Sequence, residues 1–320
     1  MPDTDIAKES SITGDPIEFD LPLKASPERL DKVLAMLIPE HSRSRLQVWI
    51  EEGHVLVNGR PGRVKQSVGP GDKLCVWEQL PPESLAFSPE PVDFQVVAES
   101  PDWIVVNKPA GLVTHPGAGN WHGTLLNGLL YRFPELKQVA RAGIVHRLDK
   151  DTSGLLVVAR HEKAQTHLIR QMQERTVRRE YVALVHGNVV KAATVTLAIG
   201  RDSRVPVRMA VERPIAPKQA ITHFEPRRIG QTEAGQVVTE VVCRLETGRT
   251  HQIRVHMMSL HHALVGDVLY GGRLIAGATR QLLHARALSF NDFATEERVS
   301  FETPLADDFL RVLENITWQT

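Results

Sequence analysis

The sequence contains only two cysteines and no long hydrophobic run. Cys75 and Cys243 lie far apart and outside any CxxC pattern, which argues against a disulfide framework and is typical of a cytosolic protein. No stretch approaches the roughly 18 to 20 unbroken apolar residues of a membrane helix. The first twenty residues are acidic and polar, with neither the basic start nor the apolar centre of a signal peptide. We therefore expect a cytoplasmic protein that does not associate with membranes.

Sequence motifs for nucleotides and metals are also missing. The chain has neither GxxxxGK[ST] nor GxGxxG, so binding of a free nucleotide has little support. There is no HExxH, and no cysteine lies near His251, His256, His261 and His262 to complete a zinc site. The missing motifs therefore argue against a bound nucleotide and against a metal centre.

The formal net charge is zero, which taken alone would argue against a polyanionic partner. Acidic residues are concentrated at the two ends: residues 1–20 contain six against one lysine, and residues 291–320 contain seven against two arginines. The span 21–290 consequently carries a net charge of +10 and all 14 histidines. A basic body with acidic ends suits a nucleic-acid partner, although an ordinary spread of charge explains the same numbers.

The length of 320 residues, with 42% hydrophobic residues, favours about two domains. We predict an acidic flexible tail over residues 1–20, a small α+β domain over 21–80, a stiff proline-rich linker over 81–94 and a larger domain over 95–320. The linker contains four prolines, which disfavour both helix and sheet interior. The larger domain has many short β runs and few helical stretches, so we expect an α+β fold with a mixed or antiparallel sheet and flanking helices.

The small domain has two predicted helices followed by a hairpin. Ser26 is the predicted N-cap of the first helix, a second serine caps the next, and Asn58-Gly59 is a strong turn signal between strands. Several cations lie off the apolar faces or in the following turn, where they would either contact a phosphate backbone or form an ordinary solvated surface. They are Arg29, Lys32, Arg43, Arg45, Arg60, Arg63 and Lys65.

The run "HRLDKDTSG" at residues 146–154 is too polar and too mixed in charge to form a core. We predict a strand that ends at Asp149, a tight loop, and a strand that begins at Gly154. A carboxylate on such a loop is a candidate nucleophile or general base, or it merely stabilises the turn. Strand alternation would place Arg147 on the same side as Asp149, and this neighbour favours the functional interpretation.

The run "LETGRTHQIRVHM" at residues 245–257 is the second dense polar stretch. On an extended backbone Gln252, Arg254 and His256 would share one side. An arginine among apolar neighbours needs an anionic partner, because an unpaired buried guanidinium is very costly. The sequence therefore predicts that Arg254 meets a carboxylate or a phosphate.

Two further segments offer candidate contacts. In "NKPAGLVTHPGAGNWHG", residues 107–123, Asn107, Lys108 and His115 are donors on an irregular loop that either cradles a phosphate or is structural. In "VRREYVALVHG", residues 177–187, Tyr181 begins an apolar strand beside two arginines. Its ring is a candidate stacking platform for a base, or a core residue.

Together these runs resemble the RluA-type family of RNA pseudouridine synthases. The similarity covers nearly the whole chain, through "NKPAGLVTHPGAGNWHGTLLN", "HRLDKDTSGLLVVA", "REYVALVHG", "LETGRTHQIRVHM" and "HALVGDVLYGG" in that order. The small domain resembles the RNA-binding domain named after ribosomal protein S-four, through "RLDKVLAMLI", "SRSRLQVWIEEGHVLVNG" and "VGPGDKLCV". Trp49 departs from that pattern, which more usually has an aliphatic residue there.

The resemblance implies a reaction and a set of roles. Family members convert uridine in RNA to pseudouridine without a cofactor. Asp149 matches the essential aspartate, Tyr181 the tyrosine that stacks on the base, and Arg254 the arginine that pairs with the aspartate. Arg147 matches the arginine that enters the helix where the base was.

The resemblance also implies a partner, namely large-subunit (23S) ribosomal RNA or the assembling large subunit, with the target in a stem-loop. We expect a monomer. The residues predicted to contact RNA are Arg147, Asn107, Lys108, His115, Arg249, Gln252, Arg29, Lys32, Arg43 and Arg45.

Two other functions fit parts of the sequence. "LDKDTSG" imitates the DxDxT run of magnesium-dependent haloacid-dehalogenase-like phosphatases, but polar residues precede its first aspartate and the order of strands does not suit a doubly wound fold. A non-enzymatic RNA-binding factor for ribosome assembly would need only the small domain, and it leaves Asp149, Tyr181 and Arg254 without a purpose.

Overall fold

The computed structural model describes residues 15–79, 82–117 and 119–319. Between residues 81 and 82 the chain divides into two compact units. Within the described residues, no helix has both the length and the apolar character needed to cross a bilayer.

The first unit packs two helices against a four-stranded antiparallel sheet with the order β1-β6-β3-β4, and β2 pairs with β5 beside it. Its core combines apolar residues of both helices with those of β3 and β6. The elements are β1 (Ile17–Asp20), β2 (Glu28–Arg29), α1 (Leu30–Leu37), α2 (Arg43–Glu51), β3 (Val55–Val57), β4 (Arg60–Pro61), β5 (Ser67–Val68) and β6 (Lys73–Val76).

Three predictions for this part of the chain need comment. Residues 1–14 of the predicted tail lie outside the described residues, but residues 17–20 form β1, because Phe19 packs on the core while β1 pairs with β6. Ser26 does not cap α1, whose N-cap is Arg29. The Asn58-Gly59 turn is confirmed, since both residues have positive φ and join β3 to β4.

The second unit contains a ten-stranded mixed sheet. Its main order is β11-β15-β16-β10-β17-β9-β8-β7, with β18 on β17 and β19 on β15, and the β9–β17 pair is parallel among otherwise antiparallel pairs. The strands are β7 (Gln95–Glu99), β8 (Trp103–Lys108), β9 (Ser153–Ala159), β10 (Arg178–His186), β11 (Ala193–Val195), β12 (Ile199–Arg201), β13 (Met209–Ala210), β14 (Ile215–Lys218), β15 (Thr222–Thr232), β16 (Val237–Leu245), β17 (Leu283–Asn291), β18 (Arg298–Glu302) and β19 (Ile316–Trp318).

Helices cover this sheet, and β12, β13 and β14 form a separate three-stranded sheet. The α-helices are α3 (Leu125–Arg132), α4 (Glu162–Gln173), α5 (Gln252–Ser259) and α6 (Asp307–Glu314). Strand β9 is buried along its whole length, with Leu156 and Val158 in one core cluster and Leu155 and Val157 in another. Such a strand, apolar on both faces, belongs in the middle of a covered sheet. The predicted α+β class with a mixed sheet is confirmed.

Local predictions failed at three places in this unit. The proline-rich segment is not an extended linker throughout, because Pro82–Phe87 is a 3-10 helix and Val92 and Phe94 contact Gly128 of α3. No strand ends at Asp149; residues 145–152 form a loop within which Thr152 N–H donates to Asp149 O. The run from Gln252 is a helix rather than a strand.

The sequence did not predict helix α5, because a helix that is buried on every side shows no helical alternation of polar and apolar residues. Residues 252 to 257 are all buried, polar and apolar alike, so neither a strand nor a helix pattern stands out. The helix begins at Gln252, whose side-chain Oε1 accepts hydrogen bonds from Arg249 N and Thr247 Oγ1 at 3.0 and 2.8 Å. A glutamine that ties up the preceding loop in this way fixes where the helix starts.

Candidate active site

Asp149 stands on a loop that precedes β9, and that loop is fixed by its neighbours. Thr114 Oγ1 donates to Leu148 O at 2.7 Å, and Thr152 N–H closes the turn on Asp149 O at 3.1 Å. Gly154 follows with φ +115°, and a Cβ there would lie 2.3 Å from Ala285 O. Only glycine lets β9 approach β17 this closely, so this residue helps to set where the loop ends.

Two buried cations hold the same loop through its carbonyl oxygens. Lys108 is fully buried, and its Nζ donates to Lys150 O at 2.9 Å as well as to Pro109 O and Leu112 O. Arg280 Nη1 donates to Asp151 O at 2.8 Å, while its Nε and Nη2 bind the carboxylate of Asp308. The backbone on the C-terminal side of Asp149 is thereby fixed from β8 and from the segment before β17.

Arg254 joins the Asp149 loop to α5. Its Nη1 donates to Asp149 Oδ2 at 3.0 Å, and its Nε and Nη2 donate to the two oxygens of Asp267 at 2.7 and 2.9 Å. The arginine side chain is 7% exposed, the Asp149 side chain 16% and the Asp267 side chain 1%. The two carboxylates raise the pKa of Arg254 further above its ordinary value, against the effect of its burial. The guanidinium therefore stays charged and keeps its orientation.

His251 and Tyr270 complete this side of the site. His251 Nε2 lies 3.9 Å from Asp149 Oδ2, and its Nδ1 lies 2.8 Å from the Tyr270 hydroxyl, which also accepts from Met209 N–H. His251 has φ +56°, an unusual conformation for a residue with a side chain and one found more often at functional sites. Burial lowers the pKa of His251, which favours a neutral ring beside the carboxylate.

Asp149, His251 and Arg254 line a pocket of about 580 Å³, within the usual range for ligand sites. Tyr181 lines it from β10, is 5% exposed, and has a hydroxyl whose pKa is raised by burial. Burial and nearby arginines lower the pKa of His115 to about 4 and that of His146 to about 3, so these two rings are neutral near pH 7. The pocket therefore combines one carboxylate on the Asp149 loop, an aromatic face and several arginines.

The sequence profile of the RNA pseudouridylate synthase family matches residues 102–259, and that of the S4 domain matches residues 28–74. The chain is 48% identical over 322 aligned residues to the ribosomal large subunit pseudouridine synthase D of Neisseria meningitidis serogroup B, covering 97% of this chain and 84% of that protein. It is 44% identical to the protein of the same name from Nitrosomonas europaea, covering 94% and 88%.

The chain belongs to the RNA pseudouridylate synthase family. A solved structure supports this: human RNA pseudouridylate synthase domain containing 1 aligns with a TM-score of 0.57 at 33% identity, over 72% of this chain and 91% of that one. The protein is an RNA pseudouridine synthase, an isomerase that acts on uridine. The phosphatase and the purely RNA-binding alternatives find no support in these similarities.

Several residues that the sequence predicts for this pseudouridine synthase do meet in one place. Asp149, Tyr181 and Arg254 line the same pocket, together with the predicted RNA contacts Arg147, His115 and Arg249. Arg147 is exposed at the pocket, although the strand alternation from which its position was predicted does not exist. Within the described residues, no cluster of His, Cys, Asp and Glu is arranged to hold a metal ion.

Three of the predicted RNA contacts serve the fold instead. Lys108 cannot reach RNA because its ammonium group is buried among carbonyl oxygens, so this prediction is wrong. Asn107 lies on β8 outside the pocket lining, with its amide on the side chains of Gln95 and Thr303. Gln252 borders the pocket but is 3% exposed and holds the loop before α5 with its amide.

Three of the four cations predicted to contact RNA in the first unit have acidic partners there. Arg29 and Arg43 both bind the buried carboxylate of Asp31. Hydrogen bonds from Gln47 and from these two arginines keep the Asp31 pKa far below its ordinary value, against the effect of burial. Lys32 pairs with Glu28. Arg45 lies over the ring of Trp49, with 5.7 Å from its guanidinium carbon to the ring centroid.

The sequence interpretation missed Arg179, Asp267, Tyr270 and Arg280. Asp267 and Tyr270 lie in "HALVGDVLYGG", one of the stretches that carry the family resemblance, but nothing in its pattern tells that the aspartate faces Arg254. An aspartate between apolar residues, and therefore in need of a cation, was the available signal.

Proposed function

We propose that the protein isomerises uridine to pseudouridine in large-subunit (23S) ribosomal RNA, in the cytoplasm, with the target in a stem-loop. The relatives named as large-subunit enzymes support the substrate, since the chain aligns with them over nearly its full length. The single observation that carries the chemistry is the hydrogen bond between Arg254 and Asp149 inside a pocket that also contains Tyr181.

The reaction breaks the glycosidic C1′–N1 bond and forms a C1′–C5 bond, while C5 loses a proton and N1 gains one. No atom or electron is gained overall, so no co-reactant is required. A base within a stem must first leave the helix, which costs a few kcal/mol. Stacking on Tyr181 would return roughly 1 to 3 kcal/mol of that cost.

We assign Asp149 as the nucleophile or base and Arg254 as the cation that orients its carboxylate. Arg147, exposed at the mouth of the pocket, would occupy the place that the base vacates. The first unit, with its S4-domain match, would contribute sequence-independent contacts to the phosphate backbone.

The test is a map of pseudouridines in 23S ribosomal RNA from a strain that lacks the gene, complemented with the wild-type gene or with Asp149→Asn. We expect one or more uridines to lose modification in the deletion strain and to regain it only with the wild-type gene. RNA affinity of the Asp149→Asn protein should stay within about threefold of the wild type. An unchanged map in the deletion strain would contradict the proposed substrate.

A further inference from the structure

Arg179 is a buried guanidinium at the active-site pocket that has no carboxylate partner within the described residues. It is 8% exposed and lines the same pocket as Tyr181. Its one side-chain hydrogen bond there is a long contact from Nη2 to Glu246 O at 3.5 Å, and its Nε has no partner. In the part of the chain that the structure describes, the other two buried arginines are Arg254 and Arg280, and each donates two hydrogen bonds to a carboxylate.

An unpaired buried charge is unfavourable unless something compensates it. Burial lowers the pKa of Arg179 from its ordinary value, and the neighbour that acts in the opposite direction is Tyr181, a neutral phenol. Gly248 leaves the room that the guanidinium occupies, because a Cβ at that position would lie 2.6 Å from Arg179 Nη1. The fold therefore has space shaped for the Arg179 guanidinium but places no anion beside it within the described residues.

The missing counter-charge is expected to arrive with the substrate. Arg179 and Tyr181 are two residues apart on β10 and both are buried toward the pocket, as alternation along a strand requires. Successive residues on one face are roughly 7 Å apart, which is on the scale that separates a base from the phosphates of its own nucleotide. A planar guanidinium with free N–H groups is well suited to a phosphate.

We propose that Arg179 binds a backbone phosphate next to the target uridine while Tyr181 stacks on its base. This inference rests on the proposed function, because it requires a flipped nucleotide in this pocket. Such a contact recognises the RNA backbone and not the identity of the base. It would hold the nucleotide in the pocket and add affinity that is the same for every sequence.

The test uses the full chain with Asp149→Asn to prevent turnover, and an RNA stem-loop that the wild-type protein modifies. Arg179→Gln should raise Kd about 10- to 100-fold and lower the slope of log K against log salt by roughly 0.7 to 0.9, the value for one phosphate. Arg179→Lys should recover part of the affinity. Arg311→Gln, which removes the same charge from the exposed side of α6, should leave both quantities unchanged.

A second measurement places the contact on the RNA. A methylphosphonate removes the charge of one linkage, and at one of the two linkages that flank the target it should weaken binding of the parent protein but not of the Arg179→Gln protein. Equal weakening of both proteins at both linkages would overturn the proposal. An unchanged Kd, together with a lower kcat when Arg179→Gln is made in the protein that retains Asp149, would overturn it too, because Arg179 would then act on the chemistry of the base.

Stability separates this role from a structural one. Removal of an unanswered buried charge should leave the Tm of Arg179→Gln equal to or above that of the parent, and a clear decrease would show that the guanidinium serves the fold. Failure of the wild-type protein to modify ribosomal RNA would contradict the proposed function itself. Normal modification by the wild type, with unaltered binding by Arg179→Gln, would contradict this inference alone.

Discussion

Arg254 Nη1 and Asp149 Oδ2 lie 3.0 Å apart although 105 positions separate the two residues in the chain. The arginine comes from a helix and the aspartate from a loop, so their contact depends on the whole fold of the second unit. Asp267 holds the other edge of the guanidinium with two hydrogen bonds. Asp267 therefore fixes the orientation of the guanidinium toward Asp149, and we expect it to act on catalysis through Arg254 without touching the substrate.

Replacing Asp267 by Asn should lower kcat by about 10- to 100-fold with little effect on the KM for RNA, because the guanidinium loses the partner that aims it at Asp149. Breaking a buried pair by removing one charge also costs about 3 to 5 kcal/mol of stability. Steady-state kinetics and chemical denaturation on the same preparation measure both effects. A higher KM at constant kcat would place Asp267 in RNA binding instead.

Lys108→Met should destabilise the protein by about 3 kcal/mol, because the carbonyl oxygens of Pro109, Leu112 and Lys150 lose a buried donor. Turnover should fall as well, since Lys150 directly follows Asp149. The matched control is Lys150→Met, which removes an exposed ammonium from the same loop and should leave the free energy of unfolding unchanged. Equal stabilities of the two variants would disprove the anchoring role of Lys108.

Lys108 also shows where sequence interpretation stops. The family motifs selected Asp149, Tyr181 and Arg254, which do share a pocket. They could not tell a donor that faces RNA from a donor that faces carbonyl groups, because only the path of the loop decides which groups surround an ammonium. The residue type correctly indicated a hydrogen-bond donor, but the sequence did not show which groups the side chain of Lys108 faces.

The Arg254 contact was predicted with an incorrect local structure. An extended backbone from Gln252 would have aligned alternate side chains, whereas α5 presents Arg254 from a helix buried on all sides. A buried guanidinium needs an anionic partner whether its backbone is a strand or a helix, so the contact itself was predicted correctly. Chemical requirements of single residues were thus more predictable than periodicity, which fails where a short element has no solvent-exposed face.

His284 should make the stability of the protein depend on pH in mild acid. It is 1% exposed, and burial together with the charge of Arg280 lowers its pKa from 6.5 to about 4. In the unfolded chain His284 binds a proton near pH 6.5, whereas in the folded chain it binds one only near pH 4. The stability that the protein gains from keeping His284 neutral is therefore fully present above pH 6.5, and it is lost as the pH falls toward 4.

At pH 5 this loss amounts to about 2 kcal/mol relative to pH 7. His284→Asn, which retains a polar group beside Ser153, should show a correspondingly smaller drop in unfolding free energy between pH 7 and pH 5. Denaturant titrations at the two pH values measure the difference. Parallel pH profiles of variant and wild type would mean that folding does not lower the pKa of His284.

The segment before β7 should behave as part of the second unit. The amide of Asn127 donates to the carbonyl oxygens of Leu85, Ala86 and Ser88, and Phe94 packs on Gly128. A chain of residues 82–320 should therefore melt at a clearly higher temperature than one of residues 95–320, which leaves the Asn127 amide without these partners. Indistinguishable melting temperatures would make the segment a simple linker after all.

The first unit should contact RNA mainly through the cations that follow its hairpin turn. Arg60, Arg63 and Lys65 are exposed and have no acidic partner within the described residues, whereas Arg29 and Arg43 already share Asp31. Replacing the three by Gln in the full chain should reduce the slope of log K against log salt by about 2, since each phosphate contact contributes roughly 0.7 to 0.9. Arg43→Gln should reduce the slope by less than half of the roughly 0.7 to 0.9 that one phosphate contact contributes. A slope that does not change in the triple variant would mean that this turn lies away from the RNA backbone.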